Sequence, residues 1–225
     1  MKNFSDQKIV QSWHKNARPW VSAVRQGQIE SRVLVTNQAI LDAILQRTPK
    51  TVLDVGCGEG WLVRELGKAG INTLGIDVVQ GLIDAAKKAG GGRFRRLAFE
   101  ELSPEVMHEK FDVMVANFSL LGDESVRHVF QQAPLLLKTG GAFIVQTLHP
   151  VAGCSEGHYA DGWREGSWTG FSGPFSDPAP WYFRTQETWT SLFQANGLHL
   201  NQIVEPLNPK TKNPVSVIFT GVLAG

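Results

Sequence analysis

Cysteine is almost absent from the 225-residue chain: there are two, Cys57 and Cys154, far apart in sequence. That excludes a disulfide framework. With the histidines scattered at 14, 108, 128, 149, 158 and 199, it also leaves no ligand spacing for zinc, and no metal is expected. Net charge is nearly absent too, with 22 basic against 21 acidic residues and a sum of +1. Such a chain has no global field to gather polyanions, so nucleic acid is not expected as a partner. No run approaches the ~20 apolar residues of a membrane-spanning helix. Met1 to Val10 is polar and lacks an apolar signal core. The expectation is a cytoplasmic chain without a membrane span, monomer or homodimer, with room for one α/β domain and a lid.

What is present concentrates between Thr51 and Trp61. Thr51 to Val55 are β-branched or apolar apart from Asp54, as in a strand buried on both faces. Gly56, Cys57, Gly58, Glu59 and Gly60 supply a turn with little bulk, and Trp61, Leu62, Val63, Leu66 and Ala69 carry a helical apolar stripe. A strand, turn and helix of this kind aim backbone N–H groups at a ligand on the carboxyl edge of a sheet. The glycines read G-x-G-x-G, not the G-x-G-x-x-G of dinucleotide sites. Asp54 and Glu59 flank the turn, and no Lys or Arg lies between Val52 and Val63. A pyrophosphate is disfavoured there, whereas a cofactor with a cationic centre and no phosphate is welcome. S-adenosylmethionine, with a sulfonium and an ammonium, is such a cofactor. Asp77, twenty-one residues after Gly56, ends a second apolar run where a ribose diol needs a bidentate acceptor.

Val52 to Leu62 and Gly75 to Val79 resemble the first two motifs of the class I S-adenosylmethionine-dependent methyltransferases, and the likeness covers roughly Lys50 to Pro150. The resemblance implies an α/β fold: a Rossmann-like, mostly parallel seven-stranded sheet with helices on both faces. It implies S-adenosylmethionine as cofactor and S-adenosylhomocysteine as product. Carried over residue by residue, the cofactor set is Arg32 toward the methionine carboxylate, Asp54, Gly56, Cys57, Gly58 and Gly60 in the first motif, and Asp77 with Val78 in the second. Phe99 and Glu100 stand near the adenine, and Asn117 at the end of the fourth strand. The adenine slot departs from the family, holding Ala98 or Phe99 where an acid is frequent. Phe183 to Trp189, Gly197-Leu198 and Glu205-Pro206 are similar to the ends of small-molecule methyltransferases of the ubiquinone-biosynthesis-like group.

The single domain divides into four stretches. Residues 1–48 form an N-terminal helical cover, with Trp13, Ala17, Trp20, Val21 and Val24 on one face and Pro19 near a helix start. A second helix over Ile29 to Arg47 counts Val33, Leu34, Ala39, Ile40, Ala43 and Ile44 as its apolar positions. Residues 50–150 form the cofactor-binding core, in which strands alternate with helices. Its strands include Arg93 to Phe99, Phe111 to Asn117 and Ala142 to Leu148, the last entered through a turn at Lys138 to Gly141. Residues 151–183, rich in glycine, proline and aromatic side chains, cannot make a regular core element and read as a lid insertion. Residues 184–225 hold a helix from Gln186 to Ala195 capped by Thr185, then strands at His199 to Val204 and Val215 to Val222.

Methyl transfer from a sulfonium is an in-line displacement, so the protein must chiefly align the partners and exclude water. An oxygen acceptor also needs a base. His149, at the end of the fifth strand, is the first candidate; His14 and His158 reach the site only by folding of the cover, and Tyr159 is a further candidate. Arg184 and Tyr159 are candidates for orienting the acceptor. No proline follows Asn117-Phe118-Ser119-Leu120, which argues against methylation of a base or amide nitrogen. The reading is methyl transfer to a small-molecule acceptor at oxygen or carbon. Its alternatives are methylation of a tRNA or protein, and a non-catalytic S-adenosylmethionine-binding module.

Overall fold

The computed structural model describes residues 4–151 and 158–224; Cys154 lies outside them. The alternation of apolar strands and helices builds β1 (Thr51–Val55), β2 (Asn72–Asp77), β3 (Arg93–Arg96), β4 (Phe111–Asn117) and β5 (Leu137–Thr147), which pair in parallel. β8 (Leu198–Val204) and β9 (Val217–Leu223) complete one sheet in the order β3-β2-β1-β4-β5-β9-β8, with β9 antiparallel to both neighbours. The order reverses between β1 and β4, so the crevice at their carboxyl ends is the place where an open sheet of this kind takes a ligand.

Each strand buries alternate residues on opposite faces. Leu53, Met114, Ala116, Phe143 and Val145 pack with Phe130 of α6 (Glu124–Leu136) and Phe193 of α7 (Gln186–Ala195). Val52, Val113, Val115 and Ile144 pack with Ile40 and Ile44 of α2 (Asn37–Leu45) and Leu62 of α3 (Trp61–Lys68). Two further helices, α4 (Gln80–Ala89) and the short α5 (Pro104–Met107), complete the crossovers. This is the expected mostly parallel, Rossmann-like α/β sheet covered on both faces. No helix of the described residues is long and apolar enough to cross a membrane.

Four local expectations are corrected. Pro19 lies inside α1 (Asp6–Arg25), not at a helix start; Ser5 caps that helix by accepting from the Lys8 N–H. The bond that Pro19 cannot make falls at Lys15, an exposed residue whose carbonyl water can serve. Ahead of α2, Arg32–Thr36 forms a π-turn, which inserts one residue into the ladder and rotates what precedes it by roughly 100°. Val33 and Leu34 are therefore 59 % and 41 % exposed instead of packing inward. Residues 138–141 are a bulge within β5, since Leu137 pairs with Phe111 and Ala142 with Val113; β3 ends at Arg96 rather than at Phe99.

The insertion is not wholly irregular. β6 (Gly162–Arg164) and β7 (Trp181–Phe183) form a short antiparallel pair, and the stretch between them docks on α1. The Asp177 carboxylate accepts from Lys8 Nζ at 2.7 Å and from Lys15 Nζ at 2.5 Å. Asn16 Nδ2 donates to the Ser176 carbonyl at 2.7 Å, and Trp13 meets Trp168 edge to face with centroids 5.8 Å apart.

Candidate active site

A cavity that opens to solvent lies over the carboxyl ends of β1, β2 and β4. Its floor is the glycine turn. Gly56 and Cys57 both donate to the Ile76 carbonyl, at 2.8 and 2.9 Å, pinning the turn to the end of β2. Gly56 has φ +78°, and a Cβ there would fall on Ser119, so only glycine fits between β1 and the loop after β4. Gly58 donates to Asp77 Oδ2 at 3.0 Å, and Val79 donates to Oδ1 at 2.9 Å. One carboxylate thus ties the turn to the start of α4. Burial pushes Asp77 up to about 6, against the pull of those two N–H groups.

Of the residues read from sequence, Arg32, Gly56, Cys57, Gly58, Asp77, Val78, Phe99, Glu100 and Asn117 line this cavity together. Arg32 sits over the rings of Trp61 and Trp20, with its carbon 5.0 and 5.7 Å from their centroids. Its Nε donates to Asn37 Oδ1 at 3.2 Å, while Nη2 is buried and has no partner among the described residues. Burial draws the guanidinium down to about 10, opposed by Glu59 and Asp54. A buried donor left unpaired costs ~1 to 3 kcal/mol, and a carboxylate arriving here would satisfy it.

The other sequence candidates stand elsewhere. Asp54 is buried in β1 outside the cavity lining; burial and the charge of Asp77 push it up to about 8, with Arg32 pulling down. Gly60 takes φ +82° at the start of α3 against Phe94, so it shapes the turn rather than the cavity. His149 is 6 % exposed and lies in a neighbouring, smaller cavity with Leu120, Leu121 and Trp189, its Nε2 3.1 Å from Glu205 Oε1. His14 is exposed on α1, whose inward rings are Trp13 and Trp20. The Tyr159 hydroxyl donates to Glu187 at the start of α7 and accepts from the Gln186 N–H, away from the cavity. Arg184 donates to the Gly122 carbonyl and to Asp123 between the rings of Tyr182 and Trp189, and is not free to orient an acceptor.

Sequence reasoning missed Asp6, Ile9 and Val10 at the start of α1, and Leu121, Gly122 and Ser125 opposite them. The Asp6 carboxylate accepts from the N–H groups of Asp123 and Ser125, at 2.9 and 2.7 Å, at the start of α6. Trp13 and Trp20, seven apart on one helical face, were the available signal. Glu59, read as an unopposed acid, is paired with Arg64 at 2.6 Å and Arg25 at 2.7 Å. The turn is consequently less hostile to anions than its local sequence implies. Cys57 packs its thiol against Gly75, and burial together with Asp54 and Asp77 pushes it well above the usual thiol range, which leaves no nucleophile.

A parallel sheet with a glycine turn, an acid at the end of β2 and a cavity at the switch point defines a nucleoside-cofactor enzyme of the Rossmann-like class. The chain belongs to the family described as "Methyltransferase domain", whose model matches residues 29–203. It is an S-adenosylmethionine-dependent methyltransferase, of the class I fold. It is 30% identical over 159 residues to a ubiquinone biosynthesis O-methyltransferase of Actinobacillus pleuropneumoniae, covering 65% of this chain and 67% of that one. The mitochondrial ubiquinone biosynthesis O-methyltransferase of Homo sapiens is 30% identical over 179 residues, 70% of this chain and 44% of the relative. The chain thus spans about two thirds of one of these relatives and under half of the other. Among solved structures, an S-adenosylmethionine-dependent methyltransferase from Mesorhizobium loti shares the fold with a TM-score of 0.63, at 20% identity over 82% of this chain and 96% of that one. A glycopeptide N-methyltransferase solved with S-adenosyl-L-methionine gives 0.61 at 14% identity, over 78% and 82%.

The residues present fit that cofactor. Asp77 offers an acceptor for ribose hydroxyls, the unpaired Arg32 Nη2 a donor for a carboxylate, and the bare Gly56 and Gly58 backbone close approach.

Proposed function

We propose that the chain transfers the methyl group of S-adenosylmethionine to a small molecule, at oxygen or carbon. The observation that carries this is the cover. Trp13 and Trp20 of α1 line the cavity and are themselves backed by Trp168 and Phe171 of the insertion, so the acceptor meets the cofactor in a ring-lined space that is partly closed to solvent. A base or side chain still attached to a tRNA or protein would have to be threaded beneath that cover, and the +1 net charge offers no polyanion steering. The relatives named as O-methyltransferases favour oxygen.

The bound cofactor supplies an electrophilic methyl on a sulfonium. The chain's own residues do the rest: Asp77 holds the ribose, Arg32 the amino-acid carboxylate, and the tryptophans keep water out. For an oxygen acceptor, His149 is the candidate base; it lies in the adjoining cavity with Nε2 3.1 Å from Glu205 Oε1, and Leu121 lines both cavities. Incubating the protein with methyl-labelled cofactor and, separately, small hydroxylated or carbon-acid compounds, tRNA and protein tests the reading. Label is expected in the small-molecule fraction; label only in tRNA or protein overturns it.

A further inference from the structure

β4 and β5 end side by side, with Asn117 and Gln146 as register partners. Asn117 is two residues beyond Val115 and Gln146 two beyond Ile144, so both side chains lie on the sheet face that the π-turn and α2 cover. Gln146 is 1 % exposed, and both ends of its amide are engaged. Nε2 donates to the Thr36 carbonyl at 3.1 Å and to Asn117 Oδ1 at 2.6 Å; Oε1 accepts from Ser216 Oγ at 3.1 Å.

This pattern has one consistent assignment. A backbone carbonyl only accepts, so the Gln146 atom facing Thr36 must be the nitrogen. The second N–H of that nitrogen points at Asn117, which must answer with its oxygen. The other branch of the Asn117 amide, Nδ2 with two N–H groups, has no partner among the described residues, and Asn117 lines the cavity. The π-turn that lends its Thr36 carbonyl to Gln146 also carries two buried polar atoms without a partner among the described residues, Arg32 Nη2, a donor, and Thr36 Oγ1.

We propose that Gln146 is a positioning residue that locks the Asn117 amide with its N–H groups toward the cavity, so that Asn117 and Arg32 together receive the amino-acid carboxylate of the cofactor. The inference rests on the S-adenosylmethionine reading and adds a polarity to it. With the amide reversed, an oxygen would face the carboxylate and repel it; Gln146 forbids that reversal.

Titration of the full chain with S-adenosylhomocysteine and with 5′-methylthioadenosine, which keeps adenine and ribose but lacks the amino-acid tail, separates the possibilities. Asn117→Ala and Gln146→Met are expected to weaken S-adenosylhomocysteine about tenfold and to leave methylthioadenosine within about twofold. Asn117→Asp keeps the volume and the bond from Gln146 but presents a second anion, so it should cost more than Asn117→Ala, again for the tailed ligand alone. This variant decides the matter should Gln146→Met fail to fold. Equal losses for both ligands, or an Asp that binds as well as Asn, overturn the proposal while leaving the cofactor reading intact. Wild-type protein that binds neither ligand overturns both.

Discussion

Asp77 accepts from the glycine turn and from the start of α4, and each oxygen keeps a lone pair for a ribose hydroxyl. Its charge is conditional, because burial raises it to about 6. Binding favours the ionised form, so S-adenosylhomocysteine affinity should hold above neutrality and fall as pH drops through about 6. Asp77→Ala should cost on the order of 1.5 to 3 kcal/mol at pH 8. Asp77→Asn, neutral throughout, should bind with no pH step; a step that persists in that variant assigns it to another group. Asp77 was legible because strand, turn and second strand follow one another in sequence. The pairing of Glu59 was only half legible: Arg64 lies five residues on, whereas Arg25 reaches it from 34 residues earlier, which local composition cannot show. His149 shows a related limit: its place after β5 fixes the backbone near the carboxyl edge, yet the contact with Glu205 holds the ring in the adjoining cavity.

Trp13 and Trp20 of α1 line the cavity and pack against Trp168 and Phe171 of the insertion, a pairing of elements that the sequence did not specify. An aromatic insertion without aliphatic periodicity could only be a surface layer, but its partner, α1, is far away in sequence. Lys8, Lys15, Ser12 and Asn16, spaced along α1, grip Ser176 and Asp177. Lys15 and Lys8 hold the Asp177 carboxyl below its usual range. Asp177→Ala should therefore raise amide exchange in both α1 and residues 163–183, with β1 to β4 unchanged. Faster exchange in the insertion alone would mean that α1 stays seated without it. The π-turn was beyond sequence reasoning altogether: Val33 and Leu34 fit a helical period, and only the inserted residue sends them outward and Arg32 inward.

Over the whole molecule the charge pattern sets a pH dependence. Asp54 and Asp77, raised to about 8 and about 6, contribute stability that is fully present below their ordinary value near 3.8 and lost as pH rises through 6 and 8. Asp112 runs the other way. Burial would raise it, but Lys138, Thr51 and Lys50 hold it at about 2, so its contribution is present above 3.8 and lost as pH falls toward 2. Ligand-free protein should melt highest near pH 4 to 5 and progressively lower toward pH 8. A midpoint that climbs across that interval would show the buried pair to be ionised in the folded state. The succession of the five parallel strands was legible from alternation, but the end of β3 and the start of β5 were not. The seating of β9 between β5 and β8 is a long-range antiparallel pairing that no local period specifies.

The contact between α1 and the insertion also orders events during synthesis. Asn16 and Ser176 are separated by 160 residues, so the first wall of the cavity leaves the ribosome long before the layer that backs it. Until Asp177 has emerged, Lys8 and Lys15 of α1 lack the carboxylate that ties them to the insertion.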